Sequence, residues 1–251
     1  MNEIELNILL PAFIAGLLVL ATHIPFGMKI LERGVIFADL AVAQIAGLGV
    51  ILAALLDLTE KPLVVQLIAA ASALCGAALL AWIEKRMAEV KEACIGLTFV
   101  LAASGGILLM SRDVHSGEHL KDLLVGQILW VSTNQLIATA LLTVVLLALW
   151  RWSKLKTLNL GFYGLFALAV TASVQLIGVY LVFASLIVPA LATYRIAAHR
   201  MVYAFAIGIT GYAIGLLLSA WFDLPSGAAV VWAMAATGVL VAMLLNPRKV
   251  G

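Results

Sequence analysis

Eight long stretches of this chain contain no Asp, Glu, Lys or Arg: 6–28, 40–56, 62–83, 93–111, 123–150, 157–194, 201–222 and 224–247. A water-soluble domain needs charge on the outer face of nearly every element. An α-helix that crosses a bilayer needs about 20 predominantly apolar residues, and most of these stretches reach that length. Composition agrees: the 251 residues are 65% hydrophobic and 11% charged, against about 45–50% and about 25% in soluble domains. An ordinary cytosolic enzyme is excluded.

Lipid offers backbone groups no hydrogen-bond partner, so a spanning segment is either a helix or a strand of a closed barrel. Barrel strands alternate apolar and polar residues, whereas these runs are apolar all round. The expectation is an all-α polytopic membrane protein in the inner (cytoplasmic) membrane, surrounded by lipid. It has about nine helices, near residues 7–28, 35–56, 62–83, 93–111, 130–150, 159–175, 177–195, 201–221 and 227–245. The sixth and seventh come from dividing the longest run at Gln175.

Orientation follows from the excess of Lys and Arg in cytoplasmic loops. With nine spans, twelve of the 15 Lys and Arg fall on one side, and only Lys61, Arg112 and Lys121 fall on the other. That places the N-terminus outside and the C-terminus in the cytoplasm. The opening Met1-Asn2-Glu3-Ile4-Glu5 is acidic and lacks the basic region of a secretory signal, so Leu6 onward reads as a retained first span. Short linkers make residues 1–251 one integral membrane domain.

A net charge of +2 without a Lys/Arg-rich block gives no footprint for nucleic acid. Cys75 and Cys94 both lie in apolar runs, which argues against a disulfide framework or a cysteine zinc site. The chain has no glycine-rich phosphate loop, no His-Glu-x-x-His helix and no Gly-x-Ser-x-Gly elbow. Chemistry by this chain is not expected. If ATP powers it, the ATPase is a separate chain.

An ionisable group at the centre of a membrane helix costs roughly 2.5–3.5 kcal/mol on insertion scales, so each one is a functional candidate. Asp39 lies six residues past Arg33, roughly 9 Å along the second helix, with Gln44 farther on. Asp39 is either an interfacial ion pair or helix cap, or part of a cation path; Gln44 either bonds a neighbouring helix or joins that path. His23, in Thr22-His23-Ile24-Pro25-Phe26-Gly27, is an interfacial residue or a neutral imidazole ligand where proline and glycine disturb the end of helix 1. His115 and His119, beside Asp113 and Glu118, form either a solvated loop or a cation-gathering group on the outer side. Asp223, in Trp221-Phe222-Asp223-Leu224-Pro225-Ser226-Gly227, has the composition of a turn.

Two stretches resemble the permease family of ABC-type zinc, manganese and iron importers. Gly27 to Gly49, GMKILERGVIFADLAVAQIAGLG, is similar to the family's glycine, basic turn, aspartate and glycine opening of the second helix. VQLIGVYLVFASLIVPALAT and SAWFDLPSGAAVV, between Val174 and Val231, resemble its proline-containing helix and its S-x-x-x-D-x-P-s-G turn.

The resemblance implies a homodimer around a central pathway. An extracytoplasmic metal-binding protein would deliver the ion, and cytoplasmic ABC ATPases would drive the cycle. No cofactor would be bound permanently; the divalent metal is cargo. It points to Asp39, to Gln44 if one residue has been inserted, and to the turn that carries Asp223; His23, read from the sequence alone, completes the candidate metal residues.

Two departures from the family pattern stand out. Relatives carry a histidine four residues after the aspartate, but here that position is Ala43 and Gln44 is five residues on. A single π-bulge between Asp39 and Gly49 would realign Gln44, and a glutamine oxygen would suit zinc less well than imidazole does. The cytoplasmic segment 152–161 is also shorter than its counterpart in relatives, which leaves Lys154 and Lys156 as the candidate ATPase-coupling residues. A second reading, from another class, is a secondary cation carrier or channel descended from such permeases, with Asp39 as an ion or proton relay.

Overall fold

The computed structural model describes residues 3–56, 58, 60–110, 128–152 and 159–245. Among these residues the secondary structure is helical throughout. The helices are α1 (Glu3–Arg33), α2 (Ala38–Leu55), α3 (Pro62–Arg86), α4 (Lys91–Met110), α5 (Thr133–Trp152), α6 (Asn159–Ile177), α7 (Val179–Ala192), α8 (Arg200–Phe222) and α9 (Ser226–Leu245), with a 3-10 turn at Ile128–Trp130. Seven helices among the described residues are long and apolar enough to cross a membrane. His115, His119, Lys154 and Lys156 lie outside the described residues.

Helix bounds differ from the sequence expectation in two informative places. α1 does not end near residue 28 but continues to Arg33, with Pro11 and Pro25 inside it. Proline removes one backbone bond and crowds the preceding turn. In an apolar surrounding, however, abandoning the helix would leave still more groups unpaired, so the helix persists. It stops where Gly34 takes the left-handed conformation, with φ +63°, which costs glycine nothing. The second difference is the division of the long run, which falls at Gly178 (φ +81°) and not at Gln175. α7 then has 14 residues, about 21 Å. Its C-terminal end is closed by Thr193, whose hydroxyl donates to the Pro189 carbonyl at 2.7 Å.

The chain separates into two compact units. One comprises 1–33, 124–143 and 176–251; the other comprises 34–123 and 144–175.

In the first unit, α1, α7, α8 and α9 pack through small residues, as membrane helices do when dispersion contacts must replace hydrophobic drive. Gly211 and Gly215, one helical turn apart on α8, sit against Met234 and Val230 of α9. A Cβ at Gly211 would lie 2.7 Å from the Met234 Cα. Gly27 of α1 lies against the Leu186 carbonyl of α7, where no Cβ fits. Gly16 of α1 receives the ring of Tyr212, and the Tyr212 hydroxyl shares a 2.9 Å hydrogen bond with Ser185 of α7.

In the second unit, α2 packs with α3 and α4. Gly49 meets Ser72 and Ala69, Gly76 meets Ile45, and Gly106 meets Ile51. Phe162 of α6 stacks on Phe166 with ring centroids 6.0 Å apart, and Trp150 of α5 approaches Phe162 at 6.0 Å.

Candidate functional site

Gly34 ends α1, and the chain then makes a short turn in which the Ala38 N–H donates to the Val35 carbonyl at 3.1 Å. α2 therefore starts at Ala38, and Asp39 is its second residue. It lies in the first helical turn, not about 9 Å into the helix. It is nevertheless buried, with 1% of its surface exposed.

Two features make this position tenable for a carboxylate. The first turn of a helix carries unpaired N–H groups and the positive end of the helix dipole, and the Asp39 carboxylate interacts with the N–H groups of Asp39 and Leu40. Its Oδ1 is buried and has no hydrogen-bond partner among the described residues. A buried polar atom without a partner is costly. Here it is a carboxyl oxygen whose lone pairs meet no donor among the described residues, a position suited to a donor or a cation.

Gln44 does not join it. α2 is an uninterrupted α-helix from Ala38 to Leu55, without the π-bulge that would have realigned residue 44. At 100° per residue, a spacing of five places Gln44 about 140° around the helix from Asp39. Ala43, four residues on and buried, shares the Asp39 face.

His23 lies within α1, in the first unit, with its side chain fully buried. Its Nδ1 is 3.0 Å from the Val19 carbonyl oxygen and 3.0 Å from the Thr22 hydroxyl. A carbonyl only accepts, so donation from Nδ1 to Val19 leaves Nε2 as the nitrogen with a free lone pair. Nε2 has no partner among the described residues.

Asp223 belongs to the same unit as His23 and is exposed. It follows α8 as the C-terminal cap in the left-handed conformation, φ 51° and ψ 43°. Beside it the Ser219 hydroxyl donates to the Leu224 carbonyl at 2.7 Å, and the Leu224 N–H donates to the Ser219 carbonyl at 3.1 Å. These are the bonds of a helix-ending turn, a conformation that Asp and Asn tolerate better than other residues carrying a Cβ.

Asp39 and Gln44 thus belong to one unit, and His23 and Asp223 to the other. Among the described residues no three His, Cys, Asp or Glu side chains gather as a metal cage. Glu92, at the start of α4, went unnoticed in the sequence. Its Oε1 accepts the N–H of Phe37 at 3.2 Å, and only an acidic residue opening a helix hinted at it.

The family described as the ABC 3 transport family matches residues 5–156 and 153–246. A probable iron transport system membrane protein of Haemophilus influenzae is 27% identical over 179 residues, 62% of this chain and 66% of the relative. The chelated iron transport system membrane protein YfeD of Yersinia pestis is 30% identical over 188 residues, 66% of this chain and 63% of the relative. The matched region spans just under two thirds of the length of each of these relatives. Among solved structures, a chain of PsaBC from Streptococcus pneumoniae, in complex with Fab, has the same fold. The TM-score is 0.73 at 22% identity, covering 99% of this chain and 94% of that one.

Proposed function

The chain belongs to the ABC 3 transport family, and we propose that it passes a divalent transition metal, iron(II) or manganese(II) ahead of zinc, across the cytoplasmic membrane as the permease subunit of an ATP-driven importer. The observation that carries this reading is the Asp39 carboxylate, buried in the first turn of α2 with an oxygen that no described residue satisfies. A carboxylate in this setting attracts a dication strongly, because the surroundings screen it little.

The preference among metals follows from the donors. Asp39 offers oxygen, and its face of α2 offers no imidazole, since residue 43 is alanine. Oxygen donors suit manganese(II) and iron(II), whereas zinc gains more from nitrogen and sulfur. The iron transport named for the two relatives points the same way.

In this reading the chain binds and gates while covalent chemistry occurs elsewhere. Two copies enclose the path, an extracytoplasmic binding protein delivers the ion, and an ABC ATPase on the cytoplasmic face drives the cycle.

The test is uptake of radiolabelled iron(II) and manganese(II) by cells whose only copy of this gene is Asp39→Asn. The substitution keeps the shape and removes the charge. A loss of at least about tenfold is expected at an unchanged membrane level, the size of a lost charge-assisted contact. Uptake equal to wild type would overturn the assignment.

A further inference from the structure

The start of α2 has no side-chain cap of its own: Phe37 is the N-cap residue, and its side chain makes no capping hydrogen bond. In a capping box, the Glu or Gln at the third helical position reaches back to the N–H of the N-cap residue. That third position here is Leu40, which has no acceptor to offer. The same N–H is instead taken by Glu92, from the first turn of α4, whose Oε1 lies 3.2 Å from the Phe37 nitrogen. The missing half of the capping box is supplied across 55 residues by another helix of the same unit.

We propose that Glu92 is a positioning residue for the Asp39 carboxylate, fixing the first turn of α2 from outside the helix. This rests on the reading of Asp39 as the carboxylate of the ion path. Asp39 is two residues beyond the N–H that Glu92 holds, so the angle at which α2 begins sets where the carboxylate points. Glu92 reinforces the arrangement in a second way, because negative charge near a helix N-terminus favours the helix. Its remaining oxygen, Oε2, is buried without a hydrogen-bond partner among the described residues. The residue as a whole is half-buried, and the bond it makes to α2 is the one from the Phe37 N–H to its Oε1.

The experiment uses the whole chain, expressed with its transport partners in cells lacking the chromosomal copy. Two readouts are taken: the half-saturating concentration for iron(II) uptake, and hydrogen exchange at the Phe37 amide in the purified protein. Glu92→Gln retains a carbonyl acceptor and should stay within about threefold of wild type in both. Glu92→Ala removes the acceptor; it should raise the half-saturating concentration about tenfold with the membrane level unchanged, and speed exchange at Phe37 by a similar factor.

Leu40→Gln, added to Glu92→Ala, places an acceptor at the third position of α2 itself. It should return both readouts at least halfway to wild type. A role of Glu92 away from the Phe37 N–H would not be rescued from within α2.

Unchanged exchange at Phe37 in Glu92→Ala would overturn the cap. Faster exchange with unchanged uptake kinetics, alongside a transport-dead Asp39→Asn, would overturn the positioning role. If Asp39→Asn transports normally, the ion-path reading and the positioning role that rests on it both fall, while exchange at Phe37 still decides the cap.

Discussion

Glu32 at the end of α1 and Arg200 at the start of α8 meet at 3.7 Å. Lys29 holds the same carboxylate at 3.0 Å. Arg200 also donates to the Ala190 carbonyl of α7 at 3.4 Å and lies 5.8 Å from the centre of the Tyr194 ring. One guanidinium therefore binds the C-terminal ends of α1 and α7 to the N-terminal end of α8. An Arg suits this task because its planar fork serves several acceptors at once.

The contact bears on topology, since residues 29–33 and 195–200 must then share one side of the membrane. The bias of Lys and Arg predicts that this side is cytoplasmic. Reporter fusions after Arg86, Lys156 and Arg200 should therefore report cytoplasm, and a fusion after His119 should report the outside. A cytoplasmic signal at His119 would refute the nine-span arrangement.

Metal preference should respond to residue 43 and not to residue 44. In an uninterrupted α2, Ala43→His places an imidazole one turn from Asp39 on the same face, adding a nitrogen donor. Competition between zinc and iron(II) for uptake should then shift towards zinc by about tenfold. Gln44→His, about 140° away, should leave the ratio within about twofold. A shift produced by Gln44→His alone would reveal a register that differs from the continuous helix.

Asp223 separates a turn from a gate. If its left-handed backbone is what matters, Asp223→Gly should transport normally, because glycine adopts that conformation without cost. Asp223→Val should lose roughly 1 kcal/mol of stability, because a β-branched side chain tolerates the left-handed region worse than Asp does, measurable by thermal unfolding in detergent. Loss of uptake in Asp223→Gly at normal stability would assign the carboxylate a direct role in transport.

In the proposed importer, the ATPase is expected to dock on the segment between α5 and α6. Lys154→Glu combined with Lys156→Glu should weaken co-purification of the ATPase while leaving membrane insertion intact. Undiminished co-purification would move the docking surface elsewhere, with 84–92 the next segment to test.

The close approach of α1 and α7 gives a stability prediction. Gly27→Ala directs a Cβ at the Leu186 carbonyl, which is backbone and cannot rotate away. Overpacking of this kind costs about 1–3 kcal/mol, so the variant should melt below wild type in detergent. An unchanged melting temperature would show that the two helices separate freely.

The helical class and the approximate bounds of the spans were legible because lipid imposes a length and a composition that no other environment demands. Asp39 was legible for the same reason, as a charge amid apolar residues. Its depth was not, because the helix start depends on Gly34 taking a left-handed backbone, and a glycine between Arg33 and Val35 allows that without requiring it. The end of α1 was placed short, near residue 28, because Lys29 closes the charge-free run, whereas the helix carries its basic residues on to Arg33. Glu92 was invisible because its partner is a backbone N–H that only the packing of α4 on α2 brings within reach. Gln44 depended on a bulge that α2 does not make.

The proline inside α1 has a mechanical consequence. Residue 25 has no N–H to give to Ala21, so one rung of the helix is missing there, and bending is easier at that rung than elsewhere. Gly16 and Leu20, on the N-terminal side of it, rest on Tyr212 and Gly208 of α8; Gly27, beyond it, rests on α7. α1 is therefore a jointed rod whose N-terminal arm rests on α8, while its C-terminal arm rests on α7 through Gly27 and meets Arg200 of α8 through Glu32. The joint lies two residues from the buried imidazole of His23, so bending of α1 at Pro25 bears directly on that side chain.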